Sequence, residues 1–159
     1  MPGQGNDRIA LSVGVTAHRD LLATEVPGIQ QRVREFFSSL QGAYPDLPLQ
    51  LLSPLAEGGD QLAARVAVSM GIPFIAVLPM SQKEYEQDFG DEDRLREFQD
   101  LLAQAQDTII LPPVDKSTQS GVVEDERTLQ YAQLGVFISD HCHVLLALWD
   151  GKPGDLMAG

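Results

Sequence analysis

The chain has 159 residues, 43% hydrophobic and 21% charged, with 23 acidic against 11 basic side chains and a formal net charge of −12. That length predicts one domain burying roughly two-thirds of its unfolded surface, and the composition is that of a folded globular protein rather than a disordered one. A phosphate backbone is bound through Lys and Arg that displace counterions, so this balance argues against long nucleic acid and anionic membrane, and neither is expected as a partner.

Cys142 is the single cysteine, which excludes an internal disulfide and fits a reducing compartment. It lies in His141-Cys142-His143, but successive side chains of a strand point to opposite faces, so three neighbours do not converge on one ion and no metal site is expected. Residues 1–8 lack the basic region and apolar stretch of a signal peptide and are expected to be disordered or extended. No apolar run approaches the ~20 residues that span a bilayer. A cytoplasmic protein is expected.

Residues 9–15 form a nearly continuous apolar run, as in a strand buried on both faces, and it ends on Thr16-Ala17-His18-Arg19-Asp20. A helix follows over 27–41, with Ile29, Val33, Phe36, Phe37 and Leu40 at three-to-four spacing and Gly42 as its stop. A second strand (49–53) leads to a helix from Gly59 or Asp60 to Met70, ended by Gly71, and then to a third strand over 73–78. Ser81-Gln82-Lys83-Glu84 has the pattern of a capping box, and a further helix over 93–105 carries Leu95, Phe98, Leu101 and Leu102 on one face. Residues 107–111 predict an edge strand, because Pro112-Pro113 stops it at once.

Residues 114–121 are loop-like and placed to act as a lid. A long helix over 124–140 is expected to bury Leu129, Ala132, Leu134, Val136 and Phe137, with Gly135 admitting close approach to the sheet. The last strand is 144–148. Short connections between alternating strands and helices predict an α/β fold: a three-layer Rossmann-like domain over 9–151, with a mostly parallel sheet of about five strands and helices on both faces. Residues 152–159 are glycine-rich and read as a truncated loop, since no helix follows to cover the last strand.

Three strand ends carry polar residues. The first is Thr16, His18 and Arg19; the second is Ser53-Pro54-Leu55-Ala56-Glu57-Gly58-Gly59-Asp60; the third is Leu148-Trp149-Asp150-Gly151. A strand that turns into a helix through glycines leaves backbone N–H groups open to an anion. If the first strand lies between the second and the last, all three motifs meet where ligands collect in open parallel sheets.

Together these motifs resemble the SLOG superfamily, the Rossmann-like domains that include Smf/DprA and the Lonely Guy (LOG) phosphoribohydrolases, and within it a bacterial nucleotide-sensor branch. The family's step after the first strand is matched by Gly14-Val15-Thr16-Ala17-His18-Arg19, with Ala17 where glycine is commoner. Its Ser-Pro-Leu-Ala-Glu-Gly-Ala-Asp turn is matched by Ser53 through Asp60, with Gly59 in place of alanine, and its Leu-Trp-Asp-Gly step by Leu148 through Gly151. The chain ends at Gly159 before any Gly-Gly-Thr phosphate turn. The resemblance implies binding or sensing of a nucleotide or nucleotide-derived small molecule, with no certain cofactor.

Residue by residue, alternatives remain. Gly58 and Gly59 serve either a tight turn or ligand approach. Asp60 is either an N-cap or a site acid. Glu57 has less structural excuse, since an acid ahead of two glycines neither caps nor packs. Two carboxylates repel a phosphate placed between them, so Glu57 and Asp60 are assigned to ribose hydroxyls, an amino group or a metal-bound water, with Arg19 and backbone amides left for the phosphate. His18 is either a donor to the ligand or bonded to nearby backbone. Trp149 stacks on a base or packs on the sheet edge, Asp150 and Gly151 read the ligand or only turn the chain, and Tyr131 packs in the core with an exposed hydroxyl or faces the site.

The alternative function is LOG-like cleavage of the N-glycosidic bond of a nucleoside monophosphate, with Glu57 or Asp60 as the candidate catalytic residues. A further one is an interaction module without a ligand, and a homodimer fits the exposed edge at 107–111 or the long helix.

Overall fold

The computed structural model describes residues 9–114 and 125–148. The N-terminal segment 1–8, nearly all of the expected lid, Trp149, Asp150, Gly151 and the glycine-rich 152–159 lie outside the described residues. In chain order the elements are β1 (Leu11–Ala17), α1 (Val26–Ala43), β2 (Leu49–Ser53), α2 (Gly59–Ser69), β3 (Phe74–Leu78), α3 (Gln82–Tyr85) with a 3-10 turn over Glu86–Asp88, α4 (Glu92–Gln104), β4 (Asp107–Ile110), α5 (Glu126–His141) and β5 (Val144–Leu148). The five strands form one sheet in the order β4-β3-β2-β1-β5, with every neighbouring pair parallel.

Alternation along the strands divides the core. Val13 and Val15 of β1, Leu51 of β2 and Phe74, Ala76 and Leu78 of β3 pack with Val33 and Phe37 of α1, the apolar face of α2 and Phe98 and Leu101 of α4. Leu52 of β2 and Val77 of β3 point the other way, against Leu134 and Ile138 of α5. The result is three layers, with α1, α2 and α4 on one face and α5 on the other. Among the described residues no helix is long and apolar enough to cross a membrane.

Several boundaries differ from the sequence expectation for identifiable reasons. β1 begins and ends two residues later than its apolar run, because the ladder with β5 continues through Thr16↔Ala147 and Ala17↔Leu148 and draws those residues into the sheet. Gly42 does not stop α1; the helix runs to Ala43, and the Tyr44 N–H closes on the Leu40 carbonyl at 2.9 Å. Gly71 does terminate its helix, in the left-handed region at φ 70°. Ser81 caps α3 by accepting the Glu84 N–H at 3.3 Å.

α5 turns a narrower face to the sheet than expected. Gln130, Leu134 and Ile138 are buried, whereas Val136 is 61% exposed and Ala132 is also exposed. The close approach of α5 is made by a glycine of the strand, not of the helix. A Cβ on Gly14 would lie 2.6 Å from Ile138 Cγ2 and 3.0 Å from Cys142 Sγ, while one on Gly135 would meet nothing within 4 Å. The residues of His141-Cys142-His143 go to separate partners: His141 Nδ1 lies 2.7 Å from the Phe137 carbonyl, Cys142 Sγ lies 3.7 Å from the Ser139 carbonyl, and His143 Nδ1 accepts the Ser12 N–H at 2.9 Å.

Gly14→Ala is expected to cost about 1–3 kcal/mol through overpacking, whereas Gly135→Ala is neutral or stabilising by up to about 1 kcal/mol. Urea denaturation midpoints of the two variants check this, and equal losses would contradict the packing described.

Candidate functional site

β1 lies between β2 and β5, and it is where the connections part. The path from β1 runs through α1 over one face, whereas the path into β5 comes from α5 on the other. A crevice forms beyond the carboxyl ends of strands at such a point. Thr16 is exposed at this end of β1, the His18 N–H donates to the Leu148 carbonyl at 3.3 Å, and Arg19 follows.

The turn after β2 is built against that strand end. Ser53 Oγ accepts the Leu55 N–H at 3.2 Å and donates to the Asp60 carbonyl at 3.1 Å, closing the turn on itself. Leu55 is fully buried with φ 57°, a left-handed conformation that costs a branched residue roughly 1–2 kcal/mol. It is held there by Gln61 Nε2, which donates to the Leu55 carbonyl at 3.0 Å, and by the Tyr85 hydroxyl, which donates to the Pro54 carbonyl at 3.1 Å. Gly58 then takes φ 86°, and the Gly59 N–H donates to the His18 carbonyl at 3.2 Å.

The space left by the missing side chains is filled by the protein itself. A Cβ on Gly58 would lie 2.2 Å from the Arg19 carbonyl oxygen, and one on Gly59 would lie 2.3 Å from the Ala17 Cβ and 3.2 Å from Leu148 Cδ1. Ala17 and Gly59, which stand where the SLOG pattern that the sequence resembles has glycine and alanine, touch here. A single methyl group, on the strand, occupies the contact.

Charge is distributed unevenly around the crevice. Glu57, for which the sequence offered no structural role, has one: its carboxylate accepts Arg94 Nη1 at 2.8 Å and the Gly90 N–H at 3.4 Å, tying the turn to α4. Asp60 is no N-cap. That position belongs to Gly58, no side chain among the described residues caps α2, and Asp60 sits in the first turn. It is 6% exposed and its Oδ1 has no hydrogen-bond partner among the described residues. Burial pushes its carboxyl up to about 8, against the opposing pull of Arg19 and the Ala56 N–H.

Arg19 lies with its guanidinium carbon 5.4 Å from the centre of the Tyr131 ring. The half-buried Tyr131 donates its hydroxyl to Asp88, which also receives Arg127 Nε at 2.9 Å. Burial, then the bond to Asp88, push Tyr131 up to about 12, and burial with the neighbouring Tyr131 and Asp60 raises Tyr85 further above its usual value. Both phenols are therefore neutral donors near neutral pH.

The structure thus brings Thr16, His18, Arg19, Gly58, Gly59 and Asp60 to one end of the sheet, turns the Glu57 carboxylate toward α4, and leaves Trp149, Asp150 and Gly151 undescribed. Tyr85, Asp88, Arg94 and Arg127 were missed. Their roles depend on contacts spanning 31 to 43 residues of sequence, for which no local pattern is a signal. A cavity of about 650 Å³ lies off this crevice, lined among others by Met80, Glu84, Ile110, Arg127 and Gln130. We do not assign it as the site, because Arg127 is held by Asp88 and Glu84, and Gln130 by the Pro79 and Pro112 carbonyls and the Val114 N–H.

No protein-family model matches the chain, and no curated protein matches it. Among solved structures, the X-ray structure of DNA processing protein A (DprA) from Streptococcus pneumoniae is similar, with a TM-score of 0.53 at 15% sequence identity over 87% of this chain. The chain spans 41% of that protein's length. The likeness supports the α/β Rossmann-like fold. It also corrects the exclusion of nucleic acid, since a DNA processing protein is built on this fold. Net charge is a sum over the whole chain and does not decide its partners: on this acidic protein Arg34 and Arg65 still line a groove of about 340 Å³ between α1 and α2.

Two outcomes are expected. Gly59→Ala destabilises by about 1–3 kcal/mol and Ala17→Gly added to it restores most of the loss, a coupling that a double-mutant cycle in urea measures. Asp60 holds its proton to about pH 8 when folded and releases it near 4 when unfolded. Its contribution to stability therefore falls as pH rises from about 4 to about 8, by up to about 1.4 kcal/mol per unit. Thermal melts of Asp60→Asn against wild type should show a difference that grows in favour of the variant across that range.

Proposed function

We propose that the chain is a SLOG-type domain that binds a nucleotide or nucleotide-derived small molecule at the carboxyl end of β1. The observation that carries this reading is the meeting, at the point where the connections part, of Arg19, the first turn of α2 and a buried Asp60 whose Oδ1 has no partner among the described residues. The fold likeness to DprA and the three strand-end motifs support the superfamily. Arg19 supplies charge, and its place over Tyr131 orders the guanidinium before a ligand arrives.

Binding is preferred to N-glycosidic cleavage because Glu57 is engaged by Arg94 and no bonded group orients the free oxygen of Asp60 against a reacting carbon.

Thermal-shift and calorimetric titration of the full chain against mononucleotides, dinucleotides, cyclic nucleotides and nucleotide sugars test the proposal. At least one class is expected to stabilise the protein, and Arg19→Ala to weaken its binding roughly tenfold, about 1.4 kcal/mol. Failure of every class to bind would sink the proposal.

A further inference from the structure

Resting on the assignment of Arg19 to the ligand site, we infer that Tyr131 is a positioning residue that keeps Arg19 available to an anion: its ring supports the guanidinium, and its hydroxyl occupies Asp88, the carboxylate that otherwise pairs with Arg19. The Arg19 guanidinium carbon stands 5.4 Å from the centre of the Tyr131 ring. At the rim of the same ring the hydroxyl donates to Asp88 Oδ2. One phenol thus stands between a cation and an acid of opposite charge.

Asp88 is satisfied one oxygen at a time. Arg127 places both Nε, at 2.9 Å, and Nη2, at 2.7 Å, on Oδ1, and Nη2 also reaches the Glu84 carbonyl at 2.8 Å. Oδ2 is left to the tyrosine. The Asp88 side chain is only 22% exposed, so solvent does not cancel its pull on a second guanidinium. The neighbouring acids are disposed of differently: Glu57 pairs with Arg94 at 2.8 Å, and Asp60 is buried in the first turn of α2. Arg19 forms no ion pair with any described residue.

An aromatic face holds a guanidinium without neutralising it. A carboxylate holds it by charge, in a forked pair that leaves fewer donors and less positive potential for a ligand. The phenolic hydroxyl decides which of the two Arg19 has. Without it, Asp88 Oδ2 is a partly buried acceptor lacking a donor, and the guanidinium across the ring supplies one. The ring itself is held independently of its oxygen, by Tyr85 at 6.3 Å between centroids and by packing against the cores on both faces of the sheet. Tyr131→Phe therefore removes the oxygen and leaves the ring, a change that a purely packing role would tolerate.

The test compares the full chain as wild type, Tyr131→Phe and Tyr131→Phe with Asp88→Asn. Calorimetry measures AMP and adenosine, and NMR follows the side-chain Nε–H of Arg19, assigned with Arg19→Lys. AMP is expected to bind Tyr131→Phe roughly tenfold more weakly, and adenosine to bind unchanged. In the double variant, which has no carboxylate to capture Arg19, AMP affinity returns to within about threefold of wild type. The Arg19 signal is expected to move downfield in Tyr131→Phe, as it leaves the ring face for a carboxylate, and to move back in the double variant.

AMP binding to Tyr131→Phe at wild-type strength, an equal loss for adenosine, or a loss that the folded double variant fails to restore overturns the inference and leaves the nucleotide proposal standing. The NMR comparison needs no ligand and only the conservative variant: an unmoved Arg19 signal in Tyr131→Phe overturns the inference whatever the nucleotides do. A displaced signal together with failure of every nucleotide class supports the hold on Arg19 and sinks the nucleotide proposal.

Discussion

The end of β1 and the start of α2 are in contact at a distance that admits no side chain between them. Gly58 packs on the backbone of His18 and Arg19, Gly59 on the methyl of Ala17, and the Gly59 N–H reaches the His18 carbonyl. This contact fixes where Arg19 leaves the strand and how deeply the first turn of α2 is set behind it. Asp60 is buried because the helix starts so close to the sheet. The rest follows from these placements: the reach of Arg19 over Tyr131, the closing of the β2 turn by Ser53, and the docking of Glu57 on α4.

The protein is acidic as a whole, yet around this crevice its acids are accounted for one at a time. Glu57 is matched by Arg94, and Asp88 by Arg127 and the Tyr131 hydroxyl. Asp60, with only part of a partner, meets burial by retaining a proton. Local neutralisation of this kind makes an anion site compatible with a strongly negative chain. A whole-chain sum weights a solvated glutamate on α4 equally with the buried Asp60, although the two differ greatly in what they do to a ligand.

Much of the architecture was legible in the sequence because it is written in local periodicity. The apolar run of β3 has no polar alternation, as a strand covered on both faces requires, and the three-to-four spacing of Val33 and Phe37 or of Phe98 and Leu101 places α1 and α4 on the sheet. Legibility failed where tertiary contact overrides local preference. Gly42 is carried through the last turn of α1, Thr16 and Ala17 are drawn into the ladder by β5, and Gly14 rather than Gly135 admits α5. In the site, the motifs located the strand ends, but the partners that set the character of Glu57 and Tyr131 stand 37 and 43 residues away and announce themselves only in three dimensions.

The single methyl between Ala17 and Gly59 bears on which substitutions the contact can accept, and in what order. Alanine at both positions would bring two methyl carbons to 2.3 Å, so that pairing is closed. Any route by single substitutions from this pair to glycine at 17 with alanine at 59 must go through glycine at both, which leaves a small gap but no collision. The order of the two substitutions is thereby dictated by sterics: the strand must lose its methyl before the helix can acquire one.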